Sequence, residues 1–313
     1  MSETNNIKAP KDGTWIPLSP TGGTAPALNA PKKGFPWRIA LGVLLGLFAL
    51  AAALYQPFSQ WWNDKEHAKA IAGLNEVVAV GPEERLAQIR QDAIEYNKKF
   101  LASGDNSDYL NQLDPTSTGM IGRIKIPAIN IDIPIYHTSS DSVLKKGAGH
   151  MEETTLPVGG PSTHAAITAH RGLAESKLFT DLDKVKIGDT FTLEILGEPL
   201  VYEVKTTRIV EPTETQWLTV EPNRDLVTLI TCDPLGINTE RMLVTGERIY
   251  PTPPAAYEDA AKDSDLPGFP TWALWLTAGL VFLGGMVWYT IRPTKKKEVD
   301  YEILEPDPAA PQV

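Results

Sequence analysis

Two periodicities divide the chain. Leu86, Ile89, Ala93, Tyr96 and Phe100 recur at three- and four-residue steps, the mark of a helix with one apolar stripe. Pro82-Glu83-Glu84 supplies a helix start, and Ser103-Gly104-Asp105-Asn106-Ser107 a stop. From Met120 the period falls to two. Ile124 and Ile126 alternate with Arg123 and Lys125, and then Ile129, Ile131, Ile133 and Ile135 alternate with polar residues or proline. These are strands with one buried face. The same reasoning predicts strands at 165–169, 190–196, 200–209, 226–231 and 242–248, with Gly, Pro, Asn and Asp in the gaps. So many short strands behind one helical segment predict a closed or nearly closed β-barrel. No internal repeat is evident.

Two runs follow neither period. Residues 39–55 are almost wholly apolar, at the low end of a membrane span, and 272–291 carry no charge. Lys32, Lys33 and Arg38 precede the first run; Arg292, Lys295, Lys296 and Lys297 follow the second. Trp37, Tyr55, Trp61 and Trp62 bracket the first as interface anchors do. Positive charge on these two sides predicts both termini in the cytoplasm and the region between the spans outside, at the cell membrane. Ala51-Ala52-Ala53 offers a signal-peptide cleavage site, but the long polar leader of residues 1–31 favours a retained anchor.

This gives the following organisation. Residues 1–36, rich in Pro, Gly, Thr and Asn, are expected to be a disordered cytoplasmic tail. A transmembrane helix at 37–56 precedes an extracellular helical segment at 57–118, with room for a lid. The β domain occupies 119–250. A proline-containing connector, 251–270, leads to the second transmembrane helix at 271–291 and a basic, then acidic tail at 292–313. The net charge of −10 over 313 residues argues against nucleic acid as the partner of the folded part.

Cys232 is the sole cysteine and ends the apolar run Leu226-Val227-Thr228-Leu229-Ile230-Thr231-Cys232. It cannot form a disulfide within the chain, so it is either an inert buried side chain or a reactive thiol. An unpaired thiol on an exported domain favours the second reading. Nucleophilic cysteine chemistry needs a nearby cation to favour the thiolate, and acyl transfer needs donors for the developing oxyanion. Arg241 stands opposite Cys232 if 233–240 is a hairpin loop. Four histidines in the β region compete for the acid/base role. His170 lies at the mouth of a buried strand and His137 at a strand end, while His150 and His164 are assigned to Gly- or Ser/Thr-rich loops. The histidine spacings match no metal motif, and no phosphate or dinucleotide loop is present. The expectation is therefore no metal and no cofactor.

Seven ordered segments carry a resemblance. They are Ile133-Pro134-Ile135-Tyr136-His137, Gly147-Ala148-Gly149-His150, Thr155-Leu156-Pro157-Val158-Gly159-Gly160, Thr168-Ala169-His170-Arg171-Gly172, Lys177-Leu178-Phe179-Thr180-Asp181-Leu182, Thr228-Leu229-Ile230-Thr231-Cys232 and Gly236-Ile237-Asn238-Thr239-Glu240-Arg241. Across them the chain resembles a sortase, most of all the class C, pilus-assembling sortases of Gram-positive bacteria. The resemblance implies a mainly β fold: an eight-stranded sortase barrel with an N-terminal helical segment and two flanking transmembrane helices. It assigns the nucleophile to Cys232, the general acid/base to His170 and oxyanion or substrate stabilisation to Arg241. It implies a cysteine transpeptidase that cuts an LPXTG-like sorting signal, holds the acyl group as a thioester and passes it to an amine. That amine is expected to be a lysine of a pilin subunit, the alternative being a cell-wall precursor during anchoring to peptidoglycan.

Three features depart from the family pattern. Asp233 follows the cysteine where Thr is common, and an anion there should oppose thiolate formation. Glu240 replaces a His. The lid motif Asp-Pro-aromatic is missing, since Asp114-Pro115-Thr116 has no aromatic residue and Asp108-Tyr109 no proline. A different cysteine peptidase or transpeptidase acting on peptidoglycan is one rival, disfavoured for the Ser-His-Gly-Cys type because Ile230-Thr231 precedes Cys232, and two more readings compete. One is an adhesive β-domain with an incidental thiol. The other is a sortase substrate, based on Leu266-Pro267-Gly268-Phe269-Pro270 before the second span.

Overall fold

The computed structural model describes residues 37–260, 262, 264 and 267–292. The expectations for the tails at 1–36 and beyond Arg292, and for Leu266 in the substrate reading, fall outside these residues. Helix α1 runs unbroken from Trp37 to Val80, well past the apolar run, with Pro57 inside it. Its apolar half packs beside the last helix, α5 (Thr271–Ile291), and both are long and apolar enough to cross a membrane. Gly46 and Gly279 let them approach, because a Cβ on either would come 2.7 Å from Leu283 or Leu50. Where the pair meets the barrel, Phe58 and Trp61 pack edge-on against Trp272.

The 57–80 stretch of α1 turns one face, Ala68, Ile71, Leu74 and Val78, inward. Ile71 and Leu74 bury against Met120 with Tyr136 alongside, and the Asn63 amide donates to the Glu175 carbonyl at 2.7 Å. Helix α2 (Glu83–Ser103) matches the sequence expectation, beginning after Pro82 and ending at Gly104 in the left-handed region, φ 69°. Its stripe packs on the barrel, and Asn97 exchanges hydrogen bonds with the Leu156 backbone at 2.7 and 3.0 Å.

The eight strands are β1 (Met120–Ile126), β2 (Ile131–His137), β3 (Ala148–His150), β4 (Thr163–Thr168), β5 (Thr190–Ile195), β6 (Glu198–Val210), β7 (Asp225–Asp233) and β8 (Glu240–Arg248). They close into a barrel in the order β1-β2-β3-β4-β7-β8-β6-β5. The β2–β3 and β4–β7 pairs are parallel and the rest antiparallel. One helical turn, α3 (Asp141–Leu144), precedes β3, and α4 (Pro254–Ala260) follows β8. Inward residues such as Ile124, Ile135, Phe191, Tyr202, Leu229 and Val244 form the main core. A second, smaller apolar set lies on the opposite face, from Ala166, Val210, Ile230 and Leu243, covered by Met151 and Leu218. Strands β4 and β7 are thus apolar on both faces, which explains their unbroken hydrophobic runs.

Two histidine assignments are corrected here. His150 lies in β3 and His164 in β4, not in loops. Strand β3 has three residues, too few to show a period, and it exists because β2 and β4 pair with it on both sides. His150 is fully buried; its Nε2–H donates to the Thr155 carbonyl and its Nδ1 accepts from the Tyr109 hydroxyl, each at 2.9 Å. Burial depresses its pKa to about 4, below the ordinary 6.5. The unfolded chain therefore binds more protons between about pH 6.5 and 4, and stability falls as pH drops through that window. Glu194, raised to about 7 by burial, contributes with the opposite sign between its ordinary 4.5 and 7. A comparison with His150→Gln isolates the histidine. Between pH 7 and 5, wild type is expected to lose about 2 kcal/mol more unfolding free energy than the variant in urea titrations.

Candidate active site

Strand β7 lies between β4 and β8, and its end gathers the candidate residues. Cys232 pairs in register with Arg241 on β8. Directly opposed residues of an antiparallel pair share a face. On the other side, parallel pairing of Thr168 with Ile230 is extended by the Ala169 N–H donating to the Ile230 carbonyl at 3.1 Å. The Thr231 hydroxyl donates to the Ala169 carbonyl at 2.8 Å. Two residues further along each strand stand His170 and Cys232. Parity puts them on the same outer face as Ile230 and Leu243.

All three side chains line one cavity of about 270 Å³. Ile230, Leu243, Val210 and Met151 form its apolar floor. One wall is the β6–β7 connection, with Pro212 and Leu218 and with Glu211 and Glu214 at the rim; Ser139 and Leu144 line the opposite side. Cys232, His170 and Arg241 are each half-buried. The Arg241 guanidinium donates through Nη1 to the Asn238 and Glu240 carbonyls at 3.1 and 2.8 Å, which folds it along its own hairpin loop. Among the described residues, no acceptor takes its Nη2 or Nε.

Of the other three histidines of the β region, two are committed to hydrogen bonds and all three are buried. His150 is committed as described. His164 donates from Nδ1 to the Thr219 carbonyl at 3.0 Å and accepts at Nε2 from Thr228 at 2.7 Å, tying the β6–β7 connection to β4. His137 is buried edge-on against Tyr109, with ring centroids 4.9 Å apart. Burial lowers the pKa of both His137 and His164. His170 alone of the four lines the thiol cavity. No group of His, Cys, Asp or Glu with a metal-holding arrangement occurs among the described residues.

Two further features bear on the site. The segment 103–117 contributes no residue to the cavity lining. Instead Tyr109 and Leu113 bury in the barrel core, and the Tyr109 hydroxyl accepts from the Thr138 N–H at 3.1 Å, bracing the loop that carries Ser139. The second feature is Arg171, quoted above only as the residue after His170. Its side chain is 8% exposed and pairs with Asp233 and, at 3.0 Å, with Asp183. Asp233 therefore points away from the cavity and already has a cation. Beside this pair Gly172, at φ 78°, lets Leu235 of the hairpin loop approach so closely that a Cβ would meet it at 2.5 Å.

A thiol held beside an imidazole and a guanidinium at one mouth of this barrel has relatives. The Sortase domain family model matches residues 124–249. The crystal structure of sortase C1 from Streptococcus agalactiae is similar with 41% identity and a TM-score of 0.57, covering 59% of this chain and 100% of that one. Sortase C of Clostridium perfringens, solved with the C-terminal cell wall sorting motif, is 44% identical with a TM-score of 0.54, covering 58% and 98%. Sortase A of Bacillus anthracis is 30% identical over 131 residues, a match spanning 42% of this chain and 60% of that protein. The chain belongs to the sortase family of cysteine transpeptidases. Within that family it is most like the class C sortases.

Proposed function

We propose that this protein is a membrane-anchored sortase that cleaves an LPXTG-like sorting signal after threonine and transfers the acyl group to an amine, a lysine of a pilin subunit. One observation carries the reading: Cys232, His170 and Arg241 come from three neighbouring strand ends and line one groove. Two apolar helices support anchoring, with the barrel outside the cell and both termini in the cytoplasm.

The Cys232 thiolate attacks the threonine carbonyl carbon, and the uncommitted donors of Arg241 support the negative oxygen. Collapse of the tetrahedral intermediate breaks the C–N bond, and protonated His170 gives its proton to the departing amine. A thioester remains on Cys232. The incoming amine attacks it, neutral His170 takes the amine proton, and the sulfur leaves as thiolate. The apolar floor and the Pro212–Leu218 wall limit water around the thioester, which favours an amine over hydrolysis.

The test uses the full chain in nanodiscs with a panel of LPXTG-type peptides, with and without a pilin-lysine peptide or a peptidoglycan-precursor amine. Mass spectrometry is expected to show the acyl group on Cys232 and its transfer to the lysine peptide. Transfer only to the precursor amine would assign the protein to wall anchoring instead. Failure of every peptide to acylate Cys232 would overturn the LPXTG-like substrate reading.

A further inference from the structure

Arg171 and Asp233 directly follow His170 and Cys232 in sequence, and their side chains pair behind the groove. The same guanidinium donates through Nε to the Thr180 carbonyl at 3.3 Å and reaches Asp183 at 3.0 Å through Nη2. Asp233 is 14% exposed at its side chain and sits in register opposite Glu240. Two carboxylates facing each other across strands repel, and without a cation their field would fall on the adjacent sulfur. Arg171 is the buried cation that meets Asp233 here.

We propose that Arg171 is a positioning residue for the thiol chemistry: its pairing with Asp233 cancels the anion next to Cys232 and fixes the ends of β4 and β7 in register. The inference rests on Cys232 being the nucleophile of the proposed reaction. The other charged or titratable groups around the sulfur are Arg241 on β8, His170 at the end of β4, Glu240 on the hairpin, and Glu211 and Glu214 on the β6–β7 connection. They stay constant in the variants below.

Because the chain has one cysteine, alkylation by iodoacetamide reports on Cys232 alone and needs no sorting peptide. The rate is measured against pH for the full chain in nanodiscs. Arg171→Ala is expected to raise the midpoint by about one pH unit, since it leaves Asp233 as an unpaired anion beside the thiol. Asp233→Asn should lower the midpoint, Arg171→Lys should keep it near wild type, and the double variant Arg171→Ala/Asp233→Asn should return it to wild type. A midpoint unmoved in Arg171→Ala, or a double variant still raised like the single one, overturns the proposal. If Arg171→Ala does not fold, Asp233→Asn decides: a midpoint that rises or stays fixed has the same force. If peptides fail to acylate the enzyme while the alkylation series behaves as stated, the charge pairing stands and the LPXTG-like sorting-signal reading falls.

Discussion

Replacing Cys232 with alanine is expected to leave no measurable acyl transfer in a chain that remains folded. In the proposed scheme the Cys232 thiolate forms the covalent intermediate, and the chain has no other cysteine to substitute for it. The structural cost is small. Cys232 is half-buried at the end of β7, outside the three apolar clusters, so melting should change by no more than about 1 kcal/mol equivalent. Serine at the same position should be equally inactive, because its hydroxyl stays protonated where a thiol ionises. Transfer of a labelled amine to a sorting peptide, followed by mass spectrometry, reads both variants. Transfer within tenfold of wild type in the alanine variant would remove the nucleophile from the scheme.

The second large effect concerns Arg241. Arg241→Ala is expected to lower kcat/KM by about 10² to 10³, the loss typical of one oxyanion donor. Arg241→Lys should recover little of this. An ammonium lacks the planar fork that holds the Asn238 and Glu240 carbonyls with one nitrogen and keeps the rest for substrate. Alkylation of Cys232 by iodoacetamide should persist in both variants, which separates loss of oxyanion support from loss of the thiol. If lysine restored most of the rate, a simple positive charge would suffice and the directional role would be wrong.

Much of this arrangement was readable from residue order. Alternation after Met120, with short apolar runs between turn residues further on, marked seven of the eight strands, and the helix signals at Pro82 and Gly104 matched α2 closely. The opposition of Cys232 and Arg241 followed from the hairpin alone, since only register is needed to place them. What escaped depended on partners distant in sequence. Strand β3 owes its existence to β2 and β4 rather than to any pattern in Ala148-Gly149-His150. The helical segment expected from residue 57 docks by burying Ile71 and Leu74 against Met120 of the barrel, a contact that residue order did not place. Asp233 looked like a liability when only its neighbour Cys232 was in view, yet its counter-charge sits 62 residues upstream. Long-range electrostatics leaves no periodic trace in a sequence.

The unbroken course of α1 has a consequence for where chemistry can happen. At about 1.5 Å per residue, its 44 residues span roughly 66 Å, about 30 Å of which a hydrocarbon layer would take up. The remainder clasps the barrel through the Met120 and Glu175 contacts rather than trailing as a flexible leash. Anchored in a membrane as proposed, the enzyme would work at a set altitude and with a set heading. Lengthening α1 between the lipid and the barrel should then slow the proposed transfer without touching a single reacting atom.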